Sequence, residues 1–196
     1  MKIIVVVAHP DNKSFNHAIA KKVNDTLKEN GHDVIFHDLY EEKFDPILSV
    51  LELQLEYEPP PEVKPYCDEL EHADGLIVVH PNWYGQPPAI LKGWIDRVFA
   101  PGVVHTVPEK GSIEHEGLLK QMTAIAIVTS DVPMERELRV FKNPLETIWK
   151  NCIFGFCEIE DASFKFLTSV FESTQRQRVD WLAEIGELVK SKFPQI

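Results

Sequence analysis

The chain has 196 residues and a formal net charge of −11, from 20 basic and 31 acidic side chains. This length suits one large domain, 1–196, with a full hydrophobic core. The charge argues against nucleic acid as a partner, because phosphate binding needs clustered Lys and Arg, and here the basic residues are scattered among acidic ones.

The chain opens on an apolar run, residues 3–8, that stops at His9 and Pro10. Six apolar residues are too few for a signal peptide or a membrane span. We therefore expect a cytoplasmic protein that is not membrane-embedded. The three cysteines, Cys67, Cys152 and Cys157, form no Cys-x-x-Cys pair and the histidines no metal motif, so we expect ordinary thiols and no metal site.

The first third of the chain predicts a β-α-β unit. Residues 3–8 are β-branched and typical of a buried strand, and a polar turn follows them. Apolar residues then recur at helical spacing from Ser14 to about residue 30, and Gly31 marks the helix end. Residues 33–37 form a second strand, so the crossover should be right-handed and the pairing parallel.

The remaining elements continue this alternation. Residues 39–65 predict a loop with at most a short helix at 49–57, because prolines and charges interrupt the pattern. The elements predicted after it are a helix at 63–72, a strand at 76–79, a helix ending at residue 99, a strand at 123–128, a helix from residue 144 to 152, a strand at 155–160 and a helix at 175–192.

The pattern as a whole predicts an α/β protein: a doubly wound, five-stranded parallel sheet with helices on both faces. In such a sheet ligands bind at the carboxyl ends of the strands. We therefore expect the loops after strands one, three and four to meet at one edge, at residues 9–16, 81–86 and 129–133.

The first of these loops carries polar groups at the start of a helix: His9, Ser14 and Asn16, with Phe15 between the last two. A helix start offers free N–H donors and partial positive charge to phosphate. Alternatively, Ser14 merely caps the helix. The loop contains neither G-x-G-x-x-G nor G-K-[ST].

The second loop is aromatic. Trp83, Tyr84 and Gly85 lie among prolines, and such a stiff, flat-sided loop could hold a planar ring such as a flavin. Alternatively, the two aromatic rings pack in the core or at a subunit contact. On the following helix, Trp94 is more typical of a core residue, and the charges that include Arg97 predict a solvated face or a subunit contact.

One sequence motif is His9 followed by Ser-Phe-Asn at 14–16, and a second is Pro81 followed by Pro-Ala-Ile-Leu-Lys-Gly-Trp-Ile-Asp-Arg-Val-Phe at 88–99. In these two motifs the chain resembles the NAD(P)H:quinone oxidoreductase family of the flavodoxin-like fold. The resemblance spans most of the chain, from residue 2 to about 166. It implies a homodimeric flavoprotein that passes two electrons from NADH or NADPH to a quinone or similar acceptor. FAD is the implied cofactor, with FMN as the alternative.

The resemblance also implies roles for individual residues. His105 falls in the segment that the family uses in the acceptor pocket, across the dimer interface, and is the expected catalytic residue. The expected cofactor-binding residues are His9, Ser14, Phe15 and Asn16 near the phosphates, Pro81, Asn82, Trp83, Tyr84 and Gly85 beside the ring, and Thr129, Ser130 and Asp131 in the third loop.

The third loop departs from the family pattern. The family's Thr-Thr-Gly-Gly is replaced by Thr129, Ser130, Asp131 and Val132, and no Tyr or His follows before Trp149. Losing both glycines predicts a reshaped contact along the flavin edge. A carboxylate at Asp131 would disfavour an anionic reduced flavin. Two alternatives to the enzyme stay open here: a flavin-binding accessory subunit of a potassium-efflux type transporter, and a single-electron carrier, which fits the acidic charge but not the 88–99 pattern.

Overall fold

The computed structural model describes residues 1–54, 58–107 and 115–196. Its centre is a sheet of five strands: β1 (Lys2–Val7), β2 (Asp33–Asp38), β3 (Gly75–Pro81), β4 (Thr123–Thr129) and β5 (Asp161–Leu167). Their order in the sheet is β2-β1-β3-β4-β5, with every neighbouring pair parallel. This is the strand order of flavodoxin-like sheets, so the predicted fold class is confirmed.

Helices cover both faces of the sheet. They are α1 (Phe15–Glu29), α2 (Lys64–Glu71), α3 (Ala89–Val98), α4 (Met134–Arg136, continued by a π-helical turn at Glu137–Phe141), α5 (Pro144–Thr147, continued by a π-helical segment at Ile148–Phe154) and α6 (Gln175–Lys192). On one face, α1 and α6 pack over Ile3, Val5 and Val7 of β1, and on the other α2 and α3 pack over Ile4 and Val6.

The prediction of a fifth strand at residues 155–160 is wrong. Those residues form a turn that follows the π-helical segment, with Glu158 in the left-handed region at φ 58°. Cys157 and Ile159 are apolar because they pack into the core from this turn. The true strand lies at the sheet edge, where polar and apolar residues alternate, and this alternation hid it from a search for continuous apolar runs.

Arg97 was predicted on a solvated or subunit-contact face and is instead 6% exposed. Its guanidinium donates to Glu52 Oε1 at 2.7 Å, to Asp45 O at 2.8 Å and to Glu62 Oε1 at 3.2 Å. These bonds fasten the long loop after β2 onto α3. The part of that loop predicted as a short helix contains a 3-10 turn at Val50–Leu53, and residues 55–57 lie outside the described part of the chain.

The expectations for Trp94 and for the three cysteines hold. Trp94 is a core residue, fully buried in α3. Cys67 and Cys157 are buried, whereas Cys152 is exposed, and all three are free thiols. Among the described residues, no helix combines the length and apolar character needed to cross a bilayer.

Candidate functional site

The three predicted loops do converge at the carboxyl edge of the sheet. Asn82 N, after β3, donates to Thr129 O at the end of β4 over 2.6 Å. The Asn16 amide, in the first turn of α1, is hydrogen-bonded to Thr129 Oγ1, with Nδ2 at 3.0 Å. A cavity of about 180 Å³ lies between the loops and is lined by His9, Ser14, Phe15, Asn16, Pro81, Asn82, Trp83, Thr129, Ser130, Asp131 and Val170.

The first loop ends in a well-formed helix cap. Ser14 is the N-cap of α1, and its hydroxyl accepts from His17 N at 3.3 Å. The same hydroxyl lies 2.9 Å from His17 Nδ1, and His17 Nε2 lies 2.8 Å from Asp38 Oδ2. The capping alternative for Ser14 is therefore confirmed. It does not displace the phosphate interpretation, because a capped helix start still directs its first N–H groups outward.

His9 lies between the helix start and the aromatic loop, with its ring 6.4 Å from that of Trp83. Burial lowers its pKa below the usual value, against a smaller opposing effect of the Asp11 backbone. His9 Nδ1 lies 3.1 Å from Asp11 N and 3.2 Å from Asp11 O, so the Asp11 backbone can pair with this nitrogen in either tautomer. Nε2 is then left to bond a ligand, as a donor or as an acceptor according to the tautomer.

The aromatic loop is a tight turn of the type I′ class. Trp83 and Gln86 exchange two backbone hydrogen bonds of 3.1 Å, and the two residues between them, Tyr84 and Gly85, have φ of 58° and 76°. Asn82 Oδ1 fixes the turn by accepting from Gly85 N at 2.8 Å. The alternative in which Trp83 and Tyr84 pack in the core is wrong for this chain, since they are 40% and 104% exposed.

A fourth loop, which the sequence did not indicate, supports the third. Ser130 N donates to Leu167 O at 2.8 Å, and Val170 N donates to Ser130 O at 3.1 Å. Asp131 Oδ1 accepts from Phe171 N at 2.9 Å. The Asp131 carboxylate therefore has a structural partner in the loop after β5. Because β5 was placed too early in the sequence, the contribution of Val170 could not be foreseen.

A larger cavity, of about 690 Å³, adjoins the first and shares Asn82, Trp83, Ser130 and Asp131 with it. Glu137 forms part of its wall although the residue is 0% exposed. No sequence signal pointed to Glu137, because an acidic residue soon after a proline is typical of an exposed first helical turn. The other lining residues are Tyr84, Gly85, Gln86, Val132, Phe141 and Pro144.

A buried pair behind the site holds the end of β3. Trp149 Nε1 donates to His80 Nε2 at 2.8 Å, and His80 Nδ1 in turn donates to Pro81 O at 2.8 Å. Burial lowers the pKa of His80 to about 4, so the ring is neutral at physiological pH. The pair positions Pro81, the residue from which the aromatic loop departs.

His105 is the one predicted site residue that the chain does not bring to these cavities. Its ring packs against Phe156 at 5.1 Å and His115 at 5.5 Å, in the segment that includes residues 101–107. Within the described part of a single chain it lines neither cavity. A role in the acceptor pocket would therefore need a second copy of the chain.

The residues present fit a flavin. The start of α1 supplies N–H groups for a phosphate, and the two adjoining cavities meet at Trp83 and Asn82. The larger cavity is in the size range of sites for small organic ligands, and its wall contains a polar atom, Glu137 Oε2, without a partner among the described residues.

Comparison with known proteins agrees with this geometry. The family described as Flavodoxin-like fold matches residues 1–188. A Haemophilus influenzae protein named Uncharacterized NAD(P)H oxidoreductase is 35% identical over 175 residues, which cover 87% of this chain and 85% of that relative. NAD(P)H dehydrogenase (quinone) 1 of Cavia porcellus is 30% identical over 145 residues, 62% of this chain and 52% of that relative, so the match spans about half of its length.

A solved structure extends the agreement. The crystal structure of Smu.1420 from Streptococcus mutans UA159 superposes with a TM-score of 0.85 at 32% identity, covering 97% of this chain and 100% of that one. The chain is therefore an enzyme of the NAD(P)H:quinone oxidoreductase family, with the flavodoxin-like fold.

Proposed function

We propose that this enzyme uses a bound flavin to pass two electrons from NADH or NADPH to a quinone or similar acceptor. The single observation that carries the proposal is the meeting of a capped helix start and an exposed aromatic turn on two adjoining cavities. The names of the relatives supply the reaction class.

The chain's own residues would bind and orient the cofactor. The first turn of α1, with Ser14, Phe15, Asn16 and His9, would hold the phosphates, while Trp83 and Tyr84 would lie beside the ring. Pro81, Asn82 and Gly85 would fix that aromatic turn. Thr129, Ser130 and Asp131 would border the ring on the side of the third loop. The flavin supplies the hydride chemistry, and the protein supplies binding, orientation and electrostatics.

FAD is the proposed flavin, with FMN as the alternative. A third cavity, of about 290 Å³, continues from His9 past Pro10 and Asn12 to Asp38, Tyr40 and Glu41. It could take the adenylate half of FAD, with the Glu41 carboxylate available to a ribose hydroxyl and the Tyr40 ring to the base.

We further propose that the enzyme is a homodimer in which His105 of one chain completes the acceptor pocket of the other. The support is the resemblance to the dimeric family and the position of His105 away from its own chain's cavities. A cytoplasmic location and a single domain for residues 1–196 stay predictions. Nothing in the relatives described above favours the transporter-subunit alternative, which is not pursued.

The test is the chromophore and its reactions. Purified protein should be yellow, and heat should release FAD, identified by its mass. Under anaerobic conditions NADH or NADPH should bleach the flavin band, and a quinone should restore it. A colourless protein that takes up neither flavin, or a flavin that no nicotinamide reduces, would contradict the proposal.

A further inference from the structure

Glu137 is a buried carboxyl group with one oxygen left over. Its Oε1 accepts from Asn82 Nδ2 at 2.8 Å and from Ser130 Oγ at 2.7 Å. Its Oε2 is buried and has no hydrogen-bond partner among the described residues. Both partners of Oε1 line the larger cavity, as does Glu137 itself. One oxygen therefore serves the scaffold, and the other is unused.

In the part of the chain that the structure describes, no positive charge is paired with this carboxyl. Arg139 lies 3.7 Å from Glu135, and the Arg136 guanidinium lies over the Phe141 ring. Burying an unpaired carboxylate is costly, so a proton or a donor from a ligand must complete the group. Glu137 also begins a π-helical turn, a rare conformation that is frequent at functional sites.

We propose that Glu137 is a catalytic residue that exchanges a proton with the acceptor bound in the larger cavity. This inference rests on the proposed function. A hydride delivers two electrons and one proton, so a quinone that becomes a hydroquinone needs one further proton. The Glu137 O–H bond breaks as the second acceptor O–H bond forms, and a solvent proton restores the carboxyl before the next turnover.

The assignment also accounts for the departure from the family pattern. No Tyr or His stands between the third loop and Trp149, yet acid–base chemistry needs a group within hydrogen-bond reach of the acceptor. The wall of the larger cavity contains three side chains that can exchange a proton: Tyr84, Asp131 and Glu137. Tyr84 is fully exposed, and Asp131 accepts a hydrogen bond from the backbone of the loop after β5. Glu137 is therefore the candidate that the cavity offers.

The test compares Glu137→Gln with wild type in the flavin-loaded enzyme. Gln keeps an oxygen for Asn82 and Ser130 but cannot exchange a proton. Glu135→Gln is the matched control, because the Glu135 side chain is 86% exposed two residues away. The reduced enzymes are mixed in a stopped-flow instrument with a quinone, or with ferricyanide, which takes single electrons and no proton.

We expect E137Q to slow reoxidation by the quinone about 100-fold, in line with the loss of a general acid. The rate of reoxidation by ferricyanide and the flavin dissociation constant should each stay within about 3-fold of wild type, which corresponds to about 0.7 kcal/mol. E135Q should match wild type with both acceptors. The flavin N5 hydrogen also exchanges with solvent, so a slower quinone step in D₂O is not by itself evidence for Glu137. In mixtures of H₂O and D₂O the wild-type quinone rate should depend on the D₂O fraction with the curvature of two transferred hydrogens, a result that needs no variant, and E137Q should show a linear dependence.

If E137Q lowers the reoxidation rates with quinone and with ferricyanide equally, or weakens flavin binding, Glu137 only supports the scaffold and the inference is overturned. An E137Q enzyme as fast as wild type with quinone would also overturn it, as would a wild-type quinone rate that depends linearly on the D₂O fraction, as expected when one hydrogen is transferred. A wild-type protein that binds no flavin, or that no quinone reoxidises, would instead overturn the proposed function.

Discussion

Tyr84 holds a backbone conformation that large side chains rarely adopt, with φ of 58° and its ring fully exposed. Such strain persists where the surrounding structure enforces it, and it clusters at functional sites. Here the Asn82 side chain and the paired Trp83 and Gln86 backbones enforce the turn. The strain supports the proposed role of the Tyr84 ring in the site.

Replacing Tyr84 with Asn should therefore raise the free energy of unfolding by about 0.5–1 kcal/mol, since Asn tolerates the left-handed region. The same change should lower quinone turnover, because the ring beside the cavity is lost. Urea unfolding and steady-state rates measure the two effects. Lys43→Asn is the control: its φ is 54°, so a similar gain with unchanged turnover is expected. A Y84N enzyme as active as wild type would remove Tyr84 from the site.

His80 makes a second prediction, in the pH dependence of stability. Its pKa is about 4 in the folded protein against 6.5 unfolded, so between these values the unfolded chain binds the extra proton. The stability tied to neutral His80 is complete above pH 6.5 and is lost as the pH falls towards 4. From pH 6.5 to 5 the loss should be about 2 kcal/mol.

His80→Gln has no such titration, so the measured quantity is the difference in free energy of unfolding between wild type and H80Q. We expect this difference to shrink by about 2 kcal/mol between pH 6.5 and 5, since other groups cancel in the subtraction. A difference that does not change with pH would show that His80 is not buried as a neutral ring.

At the scale of elements, α1 combines a structural and a proposed binding role at one end. Its N-cap Ser14 can be compared with Thr174, the N-cap of α6, whose side chain accepts from Gln177 N. The two caps have the same local geometry, but only Ser14 lines a cavity of the site. Comparing the same substitution at Ser14 and at Thr174 therefore separates the effect of losing a cap from the effect on ligand binding.

Ser14→Ala and Thr174→Ala should each lower the free energy of unfolding by about 1 kcal/mol, the usual value of a cap. S14A alone should also weaken flavin binding, because the start of α1 would hold the phosphate less well. Equal flavin affinities in the two variants, measured by titration of the apoproteins, would argue that the phosphate lies elsewhere.

The elements also show what a sequence can reveal. Residues of β1, β3 and β4 are buried on both faces of the sheet, so they form the continuous apolar runs that were predicted almost to the residue. The edge strand β5 alternates instead and was misplaced. The converging loops follow from topology and were predicted. Glu137 was not, because its burial depends on Asn82 and Ser130, which are 55 and 7 residues away in the chain.

For the whole molecule, the homodimer proposal has a surface to test. The loop after β2 exposes four apolar side chains, Ile47, Val50, Leu51 and Leu53, each between 61% and 80% exposed. Monomeric proteins rarely expose several large apolar side chains in one short segment, and an exposed apolar patch often marks an interaction site. If they lie between two chains, disrupting them should separate the protomers.

The double substitution Val50→Asp with Leu51→Asp should halve the mass measured by light scattering. The monomer should retain its flavin and lose most quinone turnover, because His105 of the partner no longer completes the pocket. Val179→Asp, at an exposed apolar position on α6, should leave both mass and turnover unchanged. A wild-type protein that is already monomeric and active would contradict both the dimer and the role of His105.

The claim on which the rest depends is that the loops after β1, β3 and β4 bind a flavin beside Trp83. Fluorescence titration with the flavin-free protein tests it most directly. Adding the protein to FAD should quench flavin emission to a saturating endpoint of one flavin per chain. The Ser14→Ala variant should need more protein to reach that endpoint. If neither FAD nor FMN emission changes at any protein concentration, the central claim is wrong.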